Sequence, residues 1–230
     1  MKLTLILSAA VVAAGALSSR AQNVYAVNVV GYVNQPVQAN KFFLLNNPLD
    51  LSANGGNAVS NVLPITDPNW DSTTIYLFQD GALNPVETYI GGFGWYPGTN
   101  LLLPGGGYYI YPGTNGILPF NGTVVTNASV ILVPGFNLIS SAYPIATNLA
   151  GLGFGGPPRP YPLDSDTIYR FDPVAQALND LITYIGGYGW YDGNAIIGGP
   201  TNGPIINVGE AFFYYNANDE FVWTQSFTVH

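Results

Sequence analysis

Cysteine is absent from the 230 residues, and histidine occurs once, at His230. The first absence excludes a disulfide framework and a thiolate metal site. The second leaves a histidine-based hydrolase relay only the final residue as its base. Charge is also sparse: charged residues make up 8% of the chain, and only 5 are Lys or Arg. A basic nucleic-acid surface is therefore excluded. The net charge of −8 disfavours anionic lipid as well. No Gly-x-Ser-x-Gly nucleophile elbow occurs. Gly91-Gly92-Phe93-Gly94 lacks the lysine and following helix of a phosphate loop, and reads as a glycine turn closing a hairpin. The one long apolar run, Leu3 to Leu17, is shorter than the roughly 20 residues that span a bilayer as a helix.

That run has its own meaning. Lys2 precedes it, and Ser18-Ser19-Arg20-Ala21 follows, with small residues at Ser19 and Ala21. This is the three-part layout of a secretory signal peptide cut before Gln22. The expectation is a secreted or cell-surface protein with no stable membrane insertion after cleavage. Beyond residue 21, three basic residues (Lys41, Arg159, Arg170) face all 13 acidic ones, a formal charge of −10.

The remaining chain repeats itself. Asp71-Ser72-Thr73-Thr74-Ile75-Tyr76-Leu77-Phe78 returns as Asp164-Ser165-Asp166-Thr167-Ile168-Tyr169-Arg170-Phe171. Thr88-Tyr89-Ile90-Gly91-Gly92-Phe93-Gly94-Trp95-Tyr96 returns as Thr183-Tyr184-Ile185-Gly186-Gly187-Tyr188-Gly189-Trp190-Tyr191. The spacing grows by two residues between these blocks, which places an insertion around Val174 to Asn179. Weaker echoes flank them: Lys41 to Asn47 against Gly135 to Ser141, and Pro104 to Tyr111 against Val208 to Tyr215. The expected organisation is a signal peptide at 1–21, a first β unit at 22–126 and a second at 127–230.

Short β-branched and aromatic runs stand between Gly, Pro, Asn and Asp, the signature of strands and turns. In the first unit the strands are expected at Val27–Val33, Lys41–Leu45, Thr74–Phe78, Glu87–Ile90, Tyr108–Tyr111 and Thr123–Thr126. In the second they are expected at Val130–Leu132, Phe136–Ile139, Thr167–Phe171, Leu181–Ile185, Ala211–Tyr215 and Phe221–Thr228. Asn-Gly at Asn54, Asn115, Asn121 and Asn202, and Asp-Gly at Asp80 and Asp192, suit tight turns. Either the first unit begins near Val27, or that run pairs with Val222–Val229 and ties the termini together. Helical signal is thin, with one short helix allowed in 51–63 and a matching place at 145–152. Ile75 and Leu77 face opposite to Tyr76 and Phe78, and both sets are apolar, so such strands are covered on both faces. The fold class is all-β: two tandem copies of a small β-sandwich or barrel-like unit, with at most one short helix per unit.

Val27-Asn28-Val29-Val30-Gly31-Tyr32-Val33-Asn34, placed after a signal peptide, resembles the opening of secreted, uncharacterised, duplicated β-domain proteins of Verrucomicrobia-like bacteria. Gly135-Phe136-Asn137-Leu138-Ile139-Ser140, Thr167-Ile168-Tyr169 and Gly209-Glu210-Ala211-Phe212-Phe213 resemble a wider β domain of extracellular bacterial proteins. Lys41 and Phe43 depart from that pattern where the second unit has Gly135 and Asn137. The resemblance implies export and an all-β fold, with release or loose surface association, and carries no catalytic residue.

The repeated Trp-Tyr pairs are the leading binding candidates. Tyr89, Trp95, Tyr96, Tyr184, Trp190 and Tyr191 would form two flat platforms on which sugar rings stack, and two copies would give avidity toward a polymer. A repeated core would look the same in sequence. Asp164, Asp166 and Asp180 are the candidate oxygen ligands for calcium, without EF-hand spacing and with no other cofactor expected. Asp71 and Asp164 alternatively bond turn amides at the start of a strand. The functional expectation is a non-catalytic protein whose partner is an extracellular glycan. The alternatives are a structural or self-assembling matrix protein whose partner is its own copies, and an acid-pair glycoside hydrolase.

Overall fold

The structure, a computed structural model, describes residues 29–154, 162–198 and 202–227; the expected signal peptide lies outside them. The fold is almost entirely antiparallel β. The first half holds β1 (Val30–Val37), β2 (Phe43–Asn46), β3 (Thr74–Gln79), β4 (Ala82–Ile90), β5 (Gly94–Tyr96), β6 (Gly107–Tyr111) and β7 (Gly116–Thr123). Its helix, α1 (Val59–Val62), is a single turn, and a 3-10 turn covers Pro68–Trp70. The second half holds β8 (Asn127–Leu132), β9 (Gly135–Ser140), β10 (Thr147–Asn148), β11 (Thr167–Asp172), β12 (Ala177–Ile185), β13 (Gly189–Tyr191), β14 (Ile196–Ile197), β15 (Ile205–Ile206), β16 (Ala211–Asn216) and β17 (Phe221–Ser226).

The two main sheets have the same strand order. One runs β2-β6-β3-β4-β5 and the other β9-β16-β11-β12-β13, with β14 added at its outer edge. Each half also has a two-stranded ribbon, β1-β7 and β8-β17. Thus the N-terminal run pairs with β7 rather than with the end of the chain. The spacing change between repeats lies in one hairpin turn. β3 and β4 are joined by two residues, Asp80 and Gly81, both at positive φ as a tight hairpin requires. β11 and β12 are joined by four, 173–176.

Some strands differ from expectation. β7 runs through Asn121-Gly122, a pair that reads as a turn, because Thr123 and Asp50 exchange main-chain hydrogen bonds and keep the segment extended. Pro119 sits in the same strand, which a two-stranded ribbon with an open edge tolerates. The segment 145–152 forms the short strand β10 and turns instead of a helix, since β10 pairs with β15.

Burial explains the two-sided apolar pattern. One face of the first sheet, with Ile75, Tyr89 and Ile110, packs against Leu118 and Phe120 of the ribbon and Val59 and Val62 of α1. The second sheet does the same with Ile168, Tyr184 and Tyr214 against Leu132 and Trp223. The opposite faces of the two sheets meet in a third cluster of Leu44, Tyr109, Ala211 and Phe213, flanked by Tyr76, Phe78, Tyr169 and Phe171. The layers therefore run ribbon, sheet, sheet, ribbon.

Contacts across the central layer come in matched pairs. The Asn46 amide donates to Gly209 O at 3.1 Å, and the Ser140 amide donates to Gly105 O at 3.0 Å. Leu45 bridges Glu210, and Ile139 bridges Gly106. Phe78 meets Phe213 edge-on with centroids 5.1 Å apart, and Phe171 meets Tyr109 likewise at 5.2 Å. Such reciprocity is the pattern of an isologous interface. Edge-on ring pairs contribute about 0.5–1.5 kcal/mol each beyond their buried area. Gly107 stands at a close approach, where a Cβ would lie 2.7 Å from that of Ala211.

Tyr108 is a fault in this packing. Its ring is buried, and its hydroxyl has no hydrogen-bond partner among the described residues. By register, Tyr108 opposes Leu45 as Phe212 opposes Ile139. The second half thus fills the same position without a hydroxyl. Tyr108→Phe is expected to stabilise the fold by about 1 kcal/mol. Equilibrium urea denaturation checks this, and a loss of stability would mean that the hydroxyl has an internal partner.

Candidate functional site

The site region is the β4-β5 hairpin and its counterpart, β12-β13. Each begins at an aspartate latch. The Gly91 amide donates to Asp71 Oδ1 at 2.7 Å, and the Gly186 amide donates to Asp164 Oδ1 at 2.7 Å. The following serines, Ser72 and Ser165, lie at positive φ, and their amides donate to Tyr89 O and Tyr184 O. The shared Asp-Ser-x-Thr setting therefore ties the strand start to the glycine turn. Space at that turn is limited, since a Cβ on Gly91 would lie 3.1 Å from Pro68 O. Gly92 and Gly94, like Gly187 and Gly189, take positive φ, which closes the turn and projects the residue between them outward.

This geometry separates the aromatic residues. Tyr89, Tyr184 and Trp190 are core residues, with Trp190 fully buried. Tyr89 and Trp95 meet edge-on at 5.6 Å and 70°, and Tyr184 and Trp190 at 5.5 Å and 70°. The Trp95 indole is half-buried, and its Nε1 donates to Leu63 O at 2.8 Å. The expected platforms are thus mostly interior, because the ribbon, joined by α1 in the first half, covers the face these rings occupy. Tyr96 is 71% exposed, and Tyr191 is half-buried with its hydroxyl donating to Gly193 O. Two rings outside the expected set are also strongly exposed, Phe93 at 90% and Tyr188 at 70%, at the same turn in each half. Their signal lay in the sequence, as the one aromatic inside each Gly-Gly-aromatic-Gly run.

Asp164 and Asp166, two of the three acidic candidates, are each engaged by the fold. Asp164 is exposed and holds its latch. Asp166 is buried and accepts from the Tyr214 hydroxyl at 2.6 Å, the Leu163 and Ala217 amides and the Asn218 side chain. Its carboxylate is consumed by the fold, in the way that Thr73 Oγ1 accepts from the Gly113 amide in the first half. The Asp180 side chain falls outside the described residues. No cluster of three acidic or histidine ligands occurs among the described residues.

Several exposed carboxylates titrate low because main-chain amides point at them. The Gly91 amide, with the Ser72 hydroxyl second, holds Asp71 below its ordinary 3.8. The Ala175 and Val174 amides do the same for Asp172, and those of Ala195 and Asn194 for Asp192. A carboxyl depressed in the folded state stabilises fully above its unfolded value and loses that contribution as pH falls through the folded one. Stability is therefore expected to hold from neutral pH down to about 4 and to fall below it. Asp71→Asn should flatten part of that fall. Urea midpoints across this range are the measurement, and a decline already complete above about pH 5 would contradict the assignment.

The burial pattern gives a second expectation. Trp190→Ala should destabilise by about 3–5 kcal/mol. Tyr188→Ala, two residues away, should stay within about 0.5 kcal/mol of the parent. Thermal melts of the two variants compare core with surface directly.

No protein-family model matches this chain, and comparisons with curated proteins and with solved structures returned no match.

Proposed function

We propose that this chain is an exported, non-catalytic protein made of two copies of one β unit, and that it holds a neutral extracellular polysaccharide through the rings at its two glycine turns. Export is supported by the Lys2, Leu3–Leu17 and Ser18-to-Ala21 layout. Duplication is supported by the repeated blocks, the common strand order and the paired latches.

The observation that carries the binding reading is the outward ring at the same turn of each half, Phe93 and Tyr188. A hairpin turn needs its glycines but has no need of an aromatic at its tip. Tyr96 is exposed one strand position beyond the half-buried Trp95 and widens the first ring surface. Exposed rings beside carboxylate and hydroxyl groups match the alternating C–H and O–H faces of a pyranose. The negative net charge favours a neutral polymer over an anionic one. Both turns lie on the side of their sheets away from β2 and β9, so the two ring surfaces sit on separate parts of the molecule. A polymer that engages both gains avidity over either alone.

Retention on insoluble cellulose, chitin, xylan, mannan and β-glucan tests this reading. A Phe93→Ala, Tyr188→Ala double variant is expected to lose retention at least about 10-fold on the polymer that holds the parent, with each single variant in between. Equal recovery of parent and double variant on every polymer would sink it.

A further inference from the structure

The matched contacts of the central layer leave two equivalent sets of positions, one on either side, and the residues that occupy them differ. One cleft of about 630 Å³ lies between 35–38 and 43–45 of the first half and 170–174 and 207–210 of the second. That size is within the usual range of small-molecule sites. A second hollow of about 570 Å³ shares Arg170 and Asn207 with it as a common wall.

Arg170 and Glu210 form a bidentate ion pair in this wall. Arg170 Nε donates to Oε1 at 2.6 Å, and Nη2 donates to Oε2 at 2.9 Å. The side chains stay 24% and 19% exposed. Asn207 donates to Glu210 from both its amide and its side chain, and Gln35 Nε2 donates to Val208 O at 2.8 Å.

The equivalent positions on the other side lack this polar set. The repeat alignment puts Leu77 at the place of Arg170, Gly106 at that of Glu210 and Leu103 at that of Asn207. Gly209 faces Gln35 as Gly105 faces Val130, so Val130 takes the place of Gln35. Four polar positions on one side are thus three apolar residues and a glycine on the other, with the same backbone contacts across the layer. The halves join without these polar groups. Partly burying an ion pair also returns little stability compared with apolar packing. Gln35 ties the halves through Val208 O, but joining them does not require the Arg170–Glu210 pair.

We propose that the Arg170–Glu210 cleft is a binding site for a short neutral oligosaccharide. Planar guanidinium, carboxylate and amide groups are the side chains that pair with adjacent sugar hydroxyls. Phe43 and Phe171, both half-buried, supply an apolar surface for the C–H face of a ring. Glu210 balances Arg170, and Asp172 adds a further negative charge at the rim, so a phosphate or uronate is disfavoured. The adjoining hollow gives room for more than one sugar unit. This site does not depend on Phe93 or Tyr188, because it lies at the junction of the halves.

Isothermal titration calorimetry of the full chain with short gluco-, xylo-, manno- and chito-oligosaccharides, and with uronate oligomers, tests the site. One neutral series is expected to bind saturably, and the uronates not. A Gln35→Val, Arg170→Leu, Glu210→Gly variant installs the residues of the equivalent positions and should weaken binding at least about 10-fold. The Phe93→Ala, Tyr188→Ala variant should bind the soluble sugar like the parent. On the parent itself, amide shifts at 207–210 should move on titration, whether or not those at 91–94 also move, a readout independent of whether the graft folds. No saturable binding by any neutral series, unchanged affinity in a folded graft, or shifts confined to 91–94 would each overturn the site.

Discussion

The rest of the fold depends on each main sheet being apolar on both faces. A sheet with one apolar face needs one cover, and the ribbons β1-β7 and β8-β17 supply it. The second face, carrying Tyr76, Phe78 and Tyr109 in one half and Tyr169, Phe171 and Phe213 in the other, needs another. With few charges and no cysteine available, the chain meets that need by setting the two faces together. Aromatic rings suit the junction because edge-on contacts fix orientation as well as exclude water.

Polar groups then serve mostly as fasteners. Asp71 and Asp164 hold glycine-turn amides, Asp166 ties the ends of β11 and β16, and the buried Glu87 accepts from the Asn100 amide and side chain. Asn47 reaches Leu102 O, and Asn137 bonds both the amide and the carbonyl of Val133. A chain with so many turns leaves many main-chain groups outside the ladders, and short amide and carboxylate side chains satisfy them where water does not reach. This explains why clustered aspartates need not signal a cation.

Much of this was legible in the sequence. Repeated Asp-Ser-x-Thr blocks located the latches, and the alternation of Ile75, Tyr76, Leu77 and Phe78 located the two-sided sheet. The change of spacing located the longer turn at 173–176. The candidate site was read less well. When both faces of a strand are apolar, alternation cannot say which residues end inside, so Trp190 and Tyr188 were indistinguishable by parity. Exposure was decided by the glycine turn, which aims Tyr188 away from both covers. β7 was missed for a related reason: Asn and Gly mark turns only when nothing extended competes, and here Asp50 and β1 do. The Arg170–Glu210 pair joins residues 40 apart in sequence, beyond any local spacing rule.

The connection between the halves, 124–126, is only three residues long. Two surfaces tethered so closely meet at high effective concentration once both exist. They do not exist together during synthesis. The ring face of β3 and β6 is made well before β16, its cover, reaches the end of the nascent chain. A half-made molecule therefore carries a bare greasy sheet, the kind of surface that sticks to its neighbours. Under the proposed export, the natural remedy is to stay unfolded until the whole length has crossed, so the order of manufacture is as much a constraint on this architecture as the finished packing.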